Sequence, residues 1–332
     1  MRLIKTEDAV GHVLCHDMTQ IIKDQYKDAR FRKGHVVTEE DIPVLLSMGK
    51  EHLYVWEMTP GMVHENDAAE RLLALCGQEN MIRSGVKEGK IELKAACDGV
   101  FLVDSARLVA VNSQDEVMIA TRKGGMAVRE GDKLAGMRVI PLIIEEEKLR
   151  KAEQAAGDKP LLSLKPYVRK TACIVATGGE VKKGLIKDTF TPVVIDKLKT
   201  YGIETLEVVY SGDGVENVRD AVLTMREKKP DMILCTGGMS VDPDDNTPGG
   251  IKAAGANIIA YGAPVLPGAM FLLGYFDDGM PVMGLPGCVM YAGATVFDLV
   301  LPKIAADVPV TRADLAALGE GGLCLGCKPC HY

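Results

Sequence analysis

Apolar and polar positions alternate along the second half of the chain in a pattern typical of α/β proteins. The continuous apolar runs at 172–176 and 232–235 predict buried parallel strands, because such strands are covered on both faces. Apolar residues recur at helical spacing over 214–229, which predicts an amphipathic helix between these strands. The same pattern predicts helices at 192–201 and 288–306 and strands at 206–209, 257–260 and 281–285. We therefore expect a mainly parallel sheet with helices on both faces.

The first half shows shorter elements. Alternation at 91–95 and apolar runs at 52–56, 100–103 and 117–120 predict strands, whereas 64–75 and 145–156 have helical character. This half is predicted to be a mixed α/β region of one or two subdomains. The Gly-Asp-Lys-Pro sequence at 157–160 marks the main boundary. The predicted domains are 1–160, 167–307 and a C-terminal tail, 308–332.

Composition narrows the range of partners. The chain has 332 residues, 47% hydrophobic and 26% charged, and a formal net charge of −7, which gives no general attraction to nucleic acid or anionic lipid. No apolar run reaches the roughly 20 residues of a membrane span, and the N-terminus lacks the apolar core of a signal peptide. A cytoplasmic location is expected. Six of the nine cysteines are widely spaced and are interpreted as buried thiols.

Candidate ligand-binding loops follow the predicted strands, because open parallel sheets bind ligands at the carboxyl ends of their strands. The first loop comprises Thr177, Gly178, Gly179 and Glu180, with Asp188 further along. Its glycines let backbone amides approach a ligand, although two glycines also suit an ordinary turn.

A second loop, 236–247, has more specific chemistry. Its glycine pair would form a bed of amides for a phosphate, and its aspartates would hold Mg²⁺ shared with that phosphate. The alternative is a solvated turn with capping aspartates. The candidate residues here are Thr236, Gly237, Gly238, Ser240, Asp244, Asp245 and Thr247.

Two further positions belong to the same predicted crevice. Pro286 and Gly287 form a turn before the predicted closing helix, where an anion would meet the helix N-terminus; the alternative is a tight turn without a ligand. Asp213 follows another strand, where it either caps the next helix or faces the crevice.

The C-terminal tail carries a separate candidate metal site. Cys324, Cys327 and Cys330 have Cys-x2-Cys-x2-Cys spacing, with His331 adjacent, which suits zinc or an iron–sulfur cluster. A tail of free thiols is the alternative interpretation.

The four sequences TGGE at 177–180, Asp213, TGGMSVDPDDNT at 236–247 and GLPG at 284–287, in this order, resemble the domain of molybdenum cofactor biosynthesis proteins. That family includes molybdopterin adenylyltransferases, molybdopterin molybdenumtransferases and a domain of competence-damage-inducible proteins. The stretch 239–241 and the long first half look like the molybdenumtransferase branch, in a divergent subfamily.

The resemblance implies a function and roles for residues. It implies binding of molybdopterin or its adenylate, with Mg²⁺, and insertion of the metal from molybdate. Asp213 and Asp245 would then be catalytic, Asp244 and Asp245 would hold Mg²⁺, and Asp244 and the remaining loop residues named above would bind the cofactor. A homo-oligomer and a molybdoenzyme partner are further expectations.

Departures from the family pattern favour an alternative. The chain has Gly179 where the transferase turn has Asp, and 266–270 reads Leu-Pro-Gly-Ala-Met where lysines are usual. The final turn continues Cys-Val-Met-Tyr at 288–291 instead of Asn-Pro-x-Ser. A non-catalytic carrier, chaperone or sensor of molybdopterin is the alternative function, and a nucleotide-processing enzyme is a third.

Overall fold

The structure is a computed structural model that describes residues 2–22, 26–55, 60–240, 242 and 245–326, with the backbone alone for Tyr26 and Glu180. The chain divides into two compact units. The first is built from the chain up to Ala96, Val103–Gly124 and Glu130–Ser163. The second consists of Cys97–Leu102, Gly125–Arg129 and the chain from Leu164 onward.

Short strands dominate the chain up to Pro166. The strands are β1 (Arg2–Lys5), β2 (Met18–Ile22), β3 (Tyr26–Phe31), β4 (His52–Val55), β5 (Met62–His64), β6 (Met81–Arg83), β7 (Ile91–Ala95), β8 (Gly99–Val103), β9 (Val117–Thr121), β10 (Met126–Val128), β11 (Lys133–Val139), β12 (Ile143–Glu145) and β13 (Leu162–Pro166). The helices are α1 (Asp41–Ser47), α2 (Glu65–Cys76), α3 (Ser105–Asn112) and α4 (Glu146–Ala156).

The first unit contains an antiparallel sheet in the order β6-β7-β11-β9. Alternate residues of β7 are buried, namely Ile91, Leu93 and Ala95, as the polar alternation of 91–95 predicts. A second apolar cluster joins Leu14, Phe31, Leu45 and Leu53, which tie β3, α1 and β4 together.

The second unit is organised around a six-stranded sheet. Its elements are β14 (Thr171–Thr177), α5 (Gly179–Lys182), α6 (Phe190–Lys199), β15 (Glu204–Ser211), α7 (Val215–Glu227), β16 (Met232–Thr236), α8 (Thr247–Ala253), β17 (Asn257–Tyr261), β18 (Leu272–Tyr275), β19 (Pro281–Leu285), α9 (Val296–Ala305) and α10 (Arg312–Ala317). The strand order is β15-β14-β16-β19-β18-β17. The pairs β14–β15, β14–β16 and β16–β19 are parallel, so the predicted mainly parallel α/β fold is confirmed.

Helices cover both faces of this sheet, also as predicted. Ile174 of β14 packs in one apolar cluster with α6 and α9, through Val194 and Val300. Its neighbour Val175 packs in another cluster with α7, through Val222. Successive side chains of a strand point to opposite faces, which explains why the two clusters share one strand.

Two predictions for this unit need correction. The closing helix does not span 288–306: a short 3-10 turn occupies Gly287–Met290, and α9 begins only at Val296. Thr295 is the N-cap residue of α9, where it forms a capping box with Asp298. The second correction is an omission: the sequence analysis did not predict strand β18, which pairs antiparallel with β17 and β19. Among the described residues, none of the helices has the length and apolar character required to span a bilayer.

Candidate functional site

A cleft of about 370 Å³ lies at the carboxyl ends of β16 and β19, where the fold places ligands. Six of the predicted positions line this cleft, and they come from two separate loops. The lining residues are Gly237, Gly238, Met239, Ser240, Asp245, Ala269, Met270, Pro286, Gly287, Cys288 and Tyr291.

The glycine pair has a conformation that other residues rarely adopt. Gly237 and Gly238 have φ values of +79° and +58°. A Cβ on Gly237 would lie 2.4 Å from the Thr177 carbonyl oxygen, and one on Gly238 would lie 2.6 Å from Thr247 Oγ1. The pair is therefore required both by backbone conformation and by close packing, and it leaves main-chain groups at the cleft wall.

Buried threonines support this loop from behind. Thr177 Oγ1 donates to the Thr236 carbonyl at 2.9 Å, and Thr247 Oγ1 donates to the Gly237 carbonyl at 2.9 Å. The two hydroxyls are also 3.2 Å apart. Thr177, Thr236 and Thr247 are thus buried and take part in the hydrogen bonds that support the loop. None of the three is a residue of the cleft lining.

Asp245 is the carboxylate that lines the cleft within the described part of the chain. Its Oδ2 accepts from the Ser240 amide at 2.9 Å, and its own amide donates to the Asp242 carbonyl at 2.9 Å. These two bonds tie Asp245 to Ser240 and Asp242. Burial, followed by the nearby Asp245 charge, raises the pKa of Tyr261, whose hydroxyl donates to the Met239 carbonyl at 2.9 Å.

The first predicted loop, 177–180, contributes no residue to the lining of this cleft. The Gly179 amide donates to Asp213 Oδ2 at 3.0 Å, so Asp213 binds that loop instead of facing the cleft. A Cβ on Gly179 would lie 2.8 Å from the same carboxylate oxygen. A side chain at position 179 would therefore have to displace the Asp213 carboxylate.

Asp188 has a local role in the structure. Its Oδ1 accepts from the amides of Phe190 and Thr191 at 2.9 and 3.0 Å, at the start of α6. Burial opposes its ionisation, but hydrogen bonds from Thr191 and Phe190 outweigh burial, so the pKa of Asp188 lies below its ordinary value. Gly178 is the N-cap residue of α5, and the Glu180 side chain is outside the described atoms.

The third loop contributes Pro286 and Gly287 to the cleft, but not in the predicted way. The amides at the start of α9 lie further along the chain, and the Thr295 hydroxyl already accepts from the Phe297 amide at 3.2 Å. The expectation that Gly287 opens directly onto a helix N-terminus is wrong, because a 3-10 turn intervenes.

Residues missed by motif analysis complete the lining. Ala269 and Met270 come from the segment where the resembling transferases have lysines, and Cys288 and Tyr291 come from the other departure. Tyr291 is 77% exposed at the rim, and burial raises the pKa of Cys288. In the sequence, these cleft residues lie in the two segments where the chain differs from the transferase pattern, and that difference was the signal that could have identified them.

The described residues include no group of three or more His, Cys, Asp or Glu side chains that could hold a metal ion. Cys324 is exposed in a 3-10 turn. Asp244, Cys327 and Cys330 lie outside the described residues. Four other cysteines are buried as predicted, Cys15, Cys76, Cys173 and Cys235, and Cys97 and Cys288 are half-buried.

Comparison with protein families agrees with this geometry. Residues 173–306 match a model described as a probable molybdopterin binding domain. The matched segment lies within the second unit. Residues 3–57 match a separate model, described as a domain of unknown function (DUF8806). The match at 173–306 includes the strands of the six-stranded sheet and the cleft residues, and it covers less than half of the chain.

Curated relatives match over a short stretch. A CinA-like protein of Mycobacterium tuberculosis is 33% identical over 76 residues, 23% of this chain and 18% of the relative. One from Petrotoga mobilis is 32% identical over 76 residues, 23% and 19% of the two chains. The chain therefore spans about a fifth of the length of these relatives.

Solved structures align at low similarity. The Mog protein of Mycobacterium ulcerans is 24% identical, with a TM-score of 0.34, over 42% of this chain and 93% of that chain. The molybdopterin biosynthesis enzyme MoaB of Thermus thermophilus is 16% identical, with a TM-score of 0.36, over 43% and 98%. The fold assignment rests on the strand order and register described above.

Proposed function

We propose that the second unit binds molybdopterin, or its adenylate, in the cleft between the 237–245 loop and the 286–291 turn, as a carrier or sensor of that ligand in molybdenum cofactor biosynthesis. The observation that carries this proposal is the Gly237–Gly238 pair, held in a left-handed conformation at the end of β16 beside the Pro286–Gly287 turn of β19. An amide-lined bend at adjacent parallel strand ends suits a phosphate and the ring attached to it.

The remaining lining supports binding of a partly apolar ligand. Met239, Met270 and Tyr291 supply apolar and aromatic surface, while Asp245 and Ser240 supply polar groups on one side. Small-molecule sites commonly combine apolar walls with a few placed polar groups. A pterin ring with a phosphate side chain has the matching combination of surfaces.

The departures support binding over metal insertion. Ala269 lies in the cleft at a position where the resembling transferases carry a lysine. Without that cation, charge developing on a phosphate or oxyanion has less stabilisation from the protein. The competing proposal is a molybdenumtransferase-like enzyme in which Asp213 and Asp245 act on a Mg²⁺-bound ligand. The position of Asp213, bonded to the Gly179 amide, makes Asp245 the better candidate of the two.

Mg²⁺ is compatible with one protein carboxylate when the substrate phosphates supply other oxygen ligands. Asp245 meets that condition, since it lines the cleft beside the glycine pair. The ion would neutralise ligand phosphate there. Its presence is a separate proposal, tested by the dependence of affinity on Mg²⁺.

The experiment measures binding of molybdopterin and of adenylylated molybdopterin to the purified chain by calorimetry, with and without Mg²⁺. We expect Asp245→Asn to weaken Mg²⁺-dependent binding about ten-fold, or about 1.4 kcal/mol. Asp242→Asn is the matched control, because Asp242 is exposed in the same loop and is not part of the cleft lining. Equal affinity of Asp245→Asn and the wild type would contradict the proposed role of this residue.

Carrier and enzyme are separated by a second measurement. Incubation of the loaded protein with molybdate should yield no metal-containing cofactor if it is a carrier, whereas the transferase proposal requires molybdenum transfer. Ala269→Lys restores a cation to the cleft, and we expect it to tighten binding of the phosphate-bearing ligand. Failure of the wild type to bind either pterin would overturn the proposed function itself.

Two further proposals concern the C-terminal cysteines and the assembly of the protein. Cys324, Cys327 and Cys330 would bind zinc or an iron–sulfur cluster, which elemental analysis after anaerobic purification decides. A homo-oligomer and a molybdoenzyme partner would be detected by light scattering and by co-purification.

A further inference from the structure

A second cleft, of about 730 Å³, lies within the first unit around the end of β3 and the start of α1. Its lining is rich in charge, with three cationic side chains in four consecutive residues. The residues are Ala29, Arg30, Phe31, Arg32, Lys33, Gly34, His35, Glu40, Asp41 and Val44. The volume falls in the range of small-molecule sites, roughly 300–1,000 Å³.

A β-bulge directs the first arginine. In the β2–β3 pair, Met18 lies opposite Phe31 but Thr19 lies opposite Ala29, so Arg30 is the extra residue. Bulges bend a strand and re-aim a side chain, and they recur beside binding sites. Phe31, immediately after the bulge, is buried in the core of the first unit. The strand is thus anchored on one side while Arg30 lines the cleft on the other.

The turn that carries the second arginine is fixed by its backbone. The Lys33 amide donates to Asp17 Oδ1 at 2.7 Å, and the Gly34 amide donates to the Leu14 carbonyl at 2.9 Å. The His35 amide donates back to the Arg32 carbonyl at 3.0 Å. The backbone that presents Arg32 is therefore held in place before any ligand arrives, which lowers the entropic cost of binding.

Two carboxylates, Glu40 and Asp41, line the cleft beside the cationic side chains, and Asp41 is already engaged. Asp41 Oδ2 accepts from His35 Nε2 at 2.7 Å and from the amide and hydroxyl of Thr38, each at 2.8 Å. Within the described residues, no carboxylate forms an ion pair with Arg30 or Arg32, and both are exposed residues of the cleft lining. Lys33 Nζ lies 3.1 Å from His64 Nδ1 and adds a third positive charge at the edge.

We propose that this cleft binds a phosphate-class dianion, carried by a small phosphate monoester, through the guanidinium groups of Arg30 and Arg32. Guanidinium groups present a planar fork of donors that matches two oxygens of a phosphate. The cleft is larger than a free oxyanion, which leaves space for the organic part of an ester. This proposal does not rest on the function of the second unit.

The test measures binding of two probes, inorganic phosphate and glycerol 1-phosphate, to the full chain by calorimetry. We expect the double variant Arg30→Gln/Arg32→Gln to weaken binding at least ten-fold. The matched control is Lys5→Gln/Lys27→Gln, which removes the same charge from exposed side chains outside the cleft lining and should leave binding unchanged. Arg32→Lys keeps the charge but loses the fork, so it should show an intermediate loss.

The outcomes separate the sources of the anion. Tighter binding of the ester supports a monoester ligand, whereas equal binding of both probes supports the anion site but overturns the assignment to an ester. Absence of binding, or equal weakening in the lysine control, would overturn the site. A measurement on the wild type covers the case in which the double variant does not fold: bound ester should protect Arg30 and Arg32 from modification by phenylglyoxal, read by peptide mass spectrometry, and unprotected arginines would also reject the proposal.

Discussion

Replacement of Gly237 by alanine tests whether the glycine loop is held by close packing as well as by backbone conformation. Gly237 has a φ of +79°, and a Cβ there would meet the Thr177 carbonyl oxygen at 2.4 Å. Gly279 is a matched control, because its φ is +81° and nothing lies within 4 Å of the Cβ position. The two substitutions share the cost of left-handed backbone and differ in the clash.

The structure gives magnitudes for both changes. A non-glycine residue in the left-handed region costs about 1–2 kcal/mol, which we expect for Gly279→Ala. Gly237→Ala adds the cost of overpacking against a backbone oxygen that cannot rotate away, about 1–3 kcal/mol. Since 1 kcal/mol shifts Tm by about 2–4 °C in a domain of this size, Gly237→Ala should melt at least about 2 °C below the control.

The assay is thermal unfolding of the full chain, combined with calorimetry of molybdopterin binding. Gly237→Ala should lose binding because relief of the clash moves the loop at the cleft wall, whereas Gly279→Ala should keep it. Equal Tm values for the two variants would refute the close-packing argument. Unaltered binding by Gly237→Ala would show that the loop does not contact the ligand.

Three further predictions concern stability. Thr247→Val removes a buried hydroxyl donor and should lower the free energy of unfolding by about 1–3 kcal/mol. Thr224→Val, on an exposed helix face, should stay within about 0.5 kcal/mol; equal urea midpoints would contradict this contrast. Burial lowers the pKa of His64 from 6.5, so the folded state favours the neutral ring. The stability that this preference contributes is fully present above pH 6.5 and is lost as the pH falls through the lowered pKa of His64. In a profile of Tm against pH, His64→Gln should therefore reduce the fall of Tm below pH 6.5. Burial opposes ionisation of Asp231, but backbone and hydroxyl donors outweigh it and lower its pKa from 3.8. Its contribution is present above pH 3.8 and is lost as the pH falls further, and an Asp231→Asn variant with an unaltered acid limb would disprove this assignment.

Local sequence determined much of the second unit. The runs at 172–176 and 232–235 lie within the observed strands β14 and β16, because a continuous apolar segment is stable only when both faces are covered. The glycine pair at 237–238 and the turn at 286–287 were predicted to share a crevice, and both line the observed cleft. These features depend on periodicity and on residues with special backbone freedom, which can be recognised from neighbouring residues alone.

The contacts of individual side chains depended on segments far apart in the chain. Thr177 and Thr247 meet behind the glycine loop although 70 residues separate them, and Asp213 turns to the Gly179 amide 34 residues away. The start of α9, by contrast, is set by a local contact, the capping box between Thr295 and Asp298.

The sequence by itself thus determined the α/β pattern and the loops that reach the strand ends. Tertiary structure decided which polar groups in those loops face a ligand and which satisfy the backbone. It likewise decided that a bulge places Arg30 in the cleft of the first unit, since a bulge exists only through the register of two paired strands. The physical reason is common to these cases: hydrogen bonds and register are properties of pairs of segments, whereas periodicity is a property of one.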